Sequence, residues 1–148
     1  MLGAITADRW RNNWRAISPP GAAVIELTRS PAKRADAIVR IRGLSSGAPV
    51  VLIASAPWAV RRCKRVAHET QVELEREYLA FPTATAPAYL VEDVRATIRL
   101  FAETILVAPP RAAASIGVQS AVHLLRALNP WRLIRLLAPG RVAVGRKS

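Results

Sequence analysis

The chain has 148 residues, and its 22 lysines and arginines exceed its 10 aspartates and glutamates, which gives a formal net charge of +12. Hydrophobic residues make up 51% and charged residues 22%, so the composition excludes a disordered chain, and the length fits a single folded domain. The single cysteine, Cys63, excludes an intrachain disulfide and favours the cytoplasm, while no uncharged apolar run reaches the roughly 18 residues of a transmembrane helix.

The first third of the sequence predicts a helix, a strand and a second helix. Residues 8–17 favour a short helix, and residues 22–28 form an apolar, β-branched run that is typical of a buried strand. Ser30 and Pro31 give the usual start of a helix, and Gly43 gives its end, so we expect a helix over 31–42. The order predicts a strand, helix, strand unit.

The middle of the chain continues this alternation. The uninterrupted apolar run at 49–55 predicts a strand covered on both faces. A helix is then expected through about residue 69, with Ser55 as its cap and Pro57 near its start. Alternation over 71–81 favours a half-exposed strand, and residues 88–91 predict a brief one.

The C-terminal part is expected to be mainly helical, over 94–107, 113–128 and 131–138, with a final edge strand at 141–145. Together the elements predict an α/β fold: a small partial Rossmann-like sheet with parallel crossovers and a helical C-terminal appendage. In this interpretation, residues 1–110 form the α/β core and residues 111–148 form a basic amphipathic helical segment of the same domain.

The most informative charge pattern lies near the C-terminal end of the sequence. Seven basic residues follow Glu103 with no acidic residue among them, and they are interspersed with apolar side chains, which predicts amphipathic helices. We expect a contact surface for an anionic protein or an anionic membrane. Its predicted residues are Arg126, Trp131, Arg132, Arg135 and Arg141. Packing on the protein's own sheet, or a GC-rich coding bias toward arginine, would produce the same pattern.

Catalytic patterns are weak. The sequence has no G-x-G-x-x-G or G-x-x-x-x-G-K-[ST] loop, and neither His68 nor His123 has a second histidine or cysteine at ligand spacing, so we expect no metal and no bound cofactor. Glu26 and Ser55 are the weak catalytic candidates, because each lies toward the end of a predicted strand. Pairing of Glu26 with an arginine and capping by Ser55 are the structural alternatives.

A second basic cluster lies on the helix that is expected after the strand at 49–55. Arg61, Arg62, Lys64 and Arg65 could bind phosphate, but four glutamates follow within the next twelve residues. Glu69, Glu73, Glu75 and Glu77 would neutralise the cluster if they paired with it. Pairing within the fold is therefore the favoured interpretation.

Two segments resemble the later half of class I S-adenosylmethionine-dependent methyltransferases. Pro20, Gly21 and Glu26 are similar to that family's P-G-G turn and acidic strand end, with Ala22 in place of the second glycine. The helix, strand and proline of residues 61–82 resemble a late helix and antiparallel strand of the same family. The likeness covers about residues 8–107, and the glycine-rich cofactor loop has no counterpart. It implies a truncated or diverged relative, methyltransferase-like in its sheet, with S-adenosylmethionine as an alternative cofactor.

The leading hypothesis is therefore a non-catalytic or accessory α/β protein that binds an anionic partner through its arginine-rich C-terminal surface. One alternative is a methyltransferase-type transferase whose site is completed by another chain. A second alternative is a peripheral protein of the inner membrane surface. Charge alone would also support non-specific binding of nucleic acid.

Overall fold

A computed structural model describes residues 11–104 and 130–148. The chain divides into two compact units. The described residues of the first unit are 11–90 and 138–148, and those of the second are 91–104 and 130–137. The chain has an α/β fold, as the sequence predicts.

The strands of the described residues form one five-stranded sheet with the order β1-β2-β5-β3-β4. Their bounds are Ala23–Leu27 for β1, Pro49–Ser55 for β2, Val72–Phe81 for β3, Tyr89–Glu92 for β4 and Gly140–Lys147 for β5. Each matches a predicted strand to within about two residues at either end, since a buried apolar run or a period-two alternation marks all of them.

The position of β5 corrects the prediction of an edge strand. β1 and β2 are parallel, with Ile25 opposite Leu52, but β5 lies between β2 and β3 and is antiparallel to both. It is buried from Gly140 through Gly145. Residues 140–147 therefore form the centre of the sheet instead of a helical appendage, because an alternation of small and β-branched side chains suits a strand with two neighbours.

The two α-helices of the first unit pack on one face of the sheet, and a 3-10 helix packs on the other. A 3-10 helix, Asn13–Ile17, precedes β1; helix α1, Pro31–Arg42, links β1 to β2; and helix α2, Ala59–Thr70, links β2 to β3. Ala37 and Ile41 of α1 and Cys63 and Val66 of α2 pack with Ile25 and other strand residues in one core. Trp14 of the 3-10 helix packs with β2, β3 and β5 on the opposite face.

The second unit contains helix α3, Arg95–Thr104, and helix α4, Pro130–Leu137. The two helices pack against each other, and Ile98 and Ile134 are buried. Arg135 donates a hydrogen bond to the buried carboxylate of Asp93 at 2.8 Å. This ion pair joins α4 to the residues just before α3.

Several predicted elements lie partly or wholly outside the described residues. These are residues 8–10 of the first predicted helix, residues 105–107 of the helix predicted over 94–107, and the whole helix predicted over 113–128. Within the described ranges, none of the helices has the length and apolar character needed to cross a bilayer.

Candidate functional site

An arginine-lined cleft opens where the parallel strands β1 and β2 end. Because parallel strands end at the same edge of a sheet, the loops after Leu27 and Ser55 lie side by side there, which is where open α/β sheets bind ligands. The cleft has a volume of about 450 Å³. We call it the arginine cleft; its lining residues are Thr28, Arg29, Arg34, Pro57, Trp58, Arg61, Arg62 and Arg65.

Two of the arginines hold the walls of the cleft together. Arg62 donates to the carbonyl of Pro57 at 2.9 Å and to the carbonyl of Ser55, and a longer contact of 3.4 Å reaches the carbonyl of Leu27. Arg29 donates to the carbonyl of Ala56 at 3.1 Å. The guanidinium groups therefore crosslink the ends of the two strands, because a planar donor fork can satisfy several carbonyl groups at once.

Trp58 stands at the entrance to α2 in an unusual backbone conformation. Its φ of 67° and ψ of 20° place it in the left-handed region, which a bulky residue adopts only at a cost of about 1–3 kcal/mol. The side chain is 61% exposed, and the guanidinium of Arg61 lies 4.7 Å from the ring centroid. The aromatic ring of Trp58 is thus exposed to solvent. The backbone of the same residue has a conformation that is unfavourable for a bulky side chain.

Arg61 and Arg65 give the cleft its uncompensated charge. Both are exposed and lie one turn apart on α2, where like charges repel each other. Neither forms an ion pair with an acidic residue in the part of the chain that the structure describes. The lining residues include five arginines and no carboxylate, so the cleft is electrostatically suited to an anion.

Three of the four glutamates that follow the basic cluster pair with arginines of other elements. Glu69 pairs with Arg34 of α1, Glu75 pairs with Arg146 at 2.8 Å, and Glu77 pairs with Arg141 at 2.8 Å. The antiparallel pairing of β3 with β5 brings the last two pairs together. The favoured interpretation of the basic cluster as paired within the fold by these four glutamates is therefore wrong for Arg61 and Arg65.

Glu26 and Ser55, the weak catalytic candidates, do not come together in one site. Glu26 is exposed and lines a separate cavity of about 260 Å³ beside α1, with Lys33, Asp36 and Arg40. Ser55 is exposed at the end of β2, and only its carbonyl takes part in the arginine cleft. Thr28 is the residue that lines both cavities.

The prediction that Ser55 caps the following helix is wrong. Helix α2 begins at Ala59, its N-cap residue is Trp58, and no side chain accepts a hydrogen bond at that cap. The two residues between Ser55 and Trp58 form a separate loop with a cis Ala56–Pro57 peptide bond. Ser55 therefore lies too far upstream to reach the first turn of the helix.

The residues of the predicted C-terminal contact surface differ in their exposure to solvent. Arg141 is 1% exposed and pairs with Glu77, so it belongs to the interior and not to a contact surface. Arg135 is partly exposed and pairs with Asp93. Arg132 is exposed, and its guanidinium lies 5.3 Å from the ring centroid of half-buried Trp131. Arg126 lies outside the described residues.

Cys63 lies buried between α2 and the sheet. Burial raises the pKa of its thiol to about 12, against the opposing effect of Arg141, while Glu77 raises it further and Arg62 lowers it. A thiol with this pKa stays protonated at neutral pH and is a poor nucleophile and a poor metal ligand. Within residues 11–104 and 130–148, His, Cys, Asp and Glu side chains form no cluster of three that could hold a metal ion.

Sequence reasoning overlooked Arg29, Arg34 and Trp58 as site residues. Each lies within a few residues of a predicted strand end or helix start, and that position was the available signal. Trp58 directly follows Pro57 after the most apolar strand, where an exposed aromatic residue is unexpected. The parallel pairing of β1 with β2 then brings these residues to one cleft.

Comparison with known proteins finds no match to this chain. No protein-family model, no curated protein and no solved structure matches the chain.

Proposed function

We propose that this chain is an accessory binding protein that captures an anionic partner, and that the arginine cleft is where the anion binds. The observation that carries the proposal is the set of five arginines that line one cleft, of which Arg34 alone forms an ion pair with a carboxylate of the described residues. Arginine is the residue best suited to phosphate, since its planar fork donates two parallel hydrogen bonds to one group.

The roles of the arginines divide by their present contacts. Arg62 and Arg29 already donate to loop carbonyls and shape the cleft. Arg61 and Arg65 are exposed and keep donors for a ligand. An anion that binds between them would also relieve their mutual repulsion.

Titration calorimetry with inorganic tripolyphosphate tests the proposal. We expect the wild-type protein to bind at low salt and to lose affinity as the salt concentration rises. The double variant R61Q/R65Q should lose at least about tenfold, because each charge-assisted hydrogen bond contributes roughly 1.5–3 kcal/mol. The matched control is K64Q/R40Q, which removes the same charge from exposed positions outside the cleft.

Two results would overturn the proposal. One is the absence of binding by the wild-type protein at low salt. The other is an equal loss of affinity in R61Q/R65Q and in K64Q/R40Q, which would assign binding to net charge and not to the cleft.

A second candidate is a methyltransferase-type transferase completed by another chain, built on a Rossmann-like sheet. Two observations favour it: the parallel pairing of β1 with β2, and the antiparallel pairing of β3 with its neighbour. Glu26 and the carbonyl of Ser55 lie at the same edge of the sheet. Calorimetric titration with S-adenosylmethionine, with and without co-purifying chains, tests it, and a lack of heat in both cases would end it.

A third candidate is peripheral contact with an anionic membrane at the cytoplasmic side. It is supported by α4, where Leu136 is 71% exposed, Leu137 is 63% exposed and the neighbouring Arg132 is also exposed. Flotation with vesicles that contain phosphatidylglycerol tests it. Loss of flotation in L136Q/L137Q would support membrane contact, and full retention of the wild-type protein in the soluble fraction at low salt would remove it.

A further inference from the structure

We propose that the ligand of the arginine cleft is a phosphate ester that carries a nucleobase, with the base stacked on Trp58 and the phosphate held by Arg61 and Arg65. This inference rests on the proposed anion binding and goes beyond it by naming the chemical class of the anion. The ligand would be either a free nucleotide or a nucleotide unit within a single strand of nucleic acid.

The first support is the position of Trp58 at the mouth of a cationic cleft. The indole ring of Trp58 is 61% exposed. It therefore does not give the fold the stabilisation that a buried tryptophan side chain would give. Its left-handed backbone conformation adds a further cost. Backbone strain at an exposed residue is typical of functional sites.

The second support is the guanidinium that already lies against the ring. Arg61 stacks 4.7 Å from the centroid of Trp58, which demonstrates that a planar cation fits there. A base would lie against the exposed part of the ring, beside this guanidinium. The arrangement gives aromatic and cation contacts together, as in proteins that bind single strands through aromatic and arginine side chains.

The third support is the combination of size and charge. A volume of about 450 Å³ falls within the range of small-ligand sites and could hold one nucleotide. A ligand with phosphate alone would use the arginines and leave the ring in water, whereas an apolar aromatic ligand would leave the arginines unpaired. A nucleotide uses both kinds of group at once.

The experiment compares three soluble probes on the full chain: adenosine monophosphate, ribose 5-phosphate and adenosine. We expect adenosine monophosphate to bind at least about tenfold more tightly than ribose 5-phosphate, because one stacked base contributes that much. In W58A the ratio of the two dissociation constants should fall to about one, and W58F should keep part of it. A ten-residue single-stranded oligoadenylate and adenosine monophosphate then distinguish strand from free nucleotide.

The outcomes separate this inference from the proposed function. If tripolyphosphate binds but the base adds no affinity in the wild-type protein, the nucleotide inference is wrong and anion binding stands. If W58A keeps the wild-type ratio, Trp58 is not the stacking surface and the inference is also wrong. If neither phosphate probe nor tripolyphosphate binds, both proposals fail. Circular dichroism of W58A and W58F ensures that the comparison is made on folded protein.

Discussion

Arg141 of β5 donates a 2.8 Å hydrogen bond to Glu77 of β3, and the arginine side chain is 1% exposed. The two residues are 64 positions apart in sequence, and the antiparallel pairing of their strands brings them together. A guanidinium in the interior is stable only when its charge is matched, because the loss of hydration costs several kcal/mol. The antiparallel register of β3 and β5 thus places a carboxylate beside this buried guanidinium.

Replacement of Glu77 by alanine is expected to lower the free energy of unfolding by about 3–5 kcal/mol, because it removes one partner of a buried ion pair. Urea denaturation measures the change. The double variant E77L/R141M is the control, since it removes both charges and should recover most of the loss. A cost below about 1 kcal/mol for E77A would mean that this carboxylate does not stabilise the buried arginine.

The Cys63 thiol predicts a pH dependence of stability at alkaline pH. Its pKa is about 12 in the folded protein, compared with 9.0 for an ordinary thiol. Between these values the unfolded chain loses the proton and the folded protein keeps it, so the free energy of unfolding should fall as the pH rises from 9 to 12. The stabilising contribution of the buried, protonated thiol is fully present below pH 9. It is lost at a rate of up to about 1.4 kcal/mol per pH unit as the pH rises from 9 to 12.

Comparison with C63A isolates this contribution, because lysines and tyrosines titrate in both proteins. The difference in slope between wild type and C63A over pH 9 to 11 gives the effect of the thiol. A parallel check is the reaction with a thiol reagent, which should be slow in native protein and fast in urea. Rapid modification of Cys63 in the native protein at pH 7 would contradict the raised pKa.

Gly145 is expected to tolerate no side chain. A Cβ atom at this position would collide with the carbonyl oxygen of Glu73 and approach the Cα of Leu74 to 3.1 Å, at the irregular register between Leu74 and Arg76. Backbone atoms cannot move away as a flexible side chain can. G145A should therefore destabilise the protein by at least about 1–3 kcal/mol in thermal or urea denaturation.

Gly43 provides the comparison for Gly145. A Cβ atom there meets nothing closer than 3.6 Å and the residue is exposed, so G43A should change stability by less than about 1 kcal/mol. Equal effects of the two substitutions would show that the tight approach at Gly145 is not a constraint.

Substitutions of Trp58 are expected to change the stability of the protein and its nucleotide binding independently of each other. At a φ of 67°, glycine is free of the steric cost that alanine carries, so W58G should be more stable than W58A by about 1 kcal/mol. Both variants lack the ring and should bind a nucleotide equally poorly. A higher stability of W58A would contradict the left-handed conformation at this residue.

Local patterns predicted the elements because each has a strong chemical signal of its own. The apolar run of β2 and the serine, proline and glycine around α1 gave bounds that match the structure. The order of the strands could not be read in the same way, since it depends on which distant segments pair. The placement of β5 was therefore wrong, and the exposure of Arg141 was wrong with it.

The candidate site shows the same division. The strand ends predict the edge of the sheet where the cleft lies, but the acidic group of Glu26 and the hydroxyl group of Ser55 predict the wrong residues there. The glutamates that follow the arginines of α2 in sequence predict pairing with them, although Glu69, Glu75 and Glu77 pair with arginines of α1 and β5. Sequence distance is a poor guide to charge neutralisation when a sheet reorders its strands.

The middle position of β5 has a consequence for the order of folding. Among the strands that the structure describes, β2 and β3 do not pair with each other, and residues 140–147 lie between them. During synthesis on a ribosome, β2 and β3 are made about sixty residues before β5. Until then, the edges of β2 and β3 that pair with β5 have unpaired backbone hydrogen-bonding groups. We therefore expect the nascent chain to be most prone to aggregation before β5 is synthesised, and chaperones to bind it mainly in that interval.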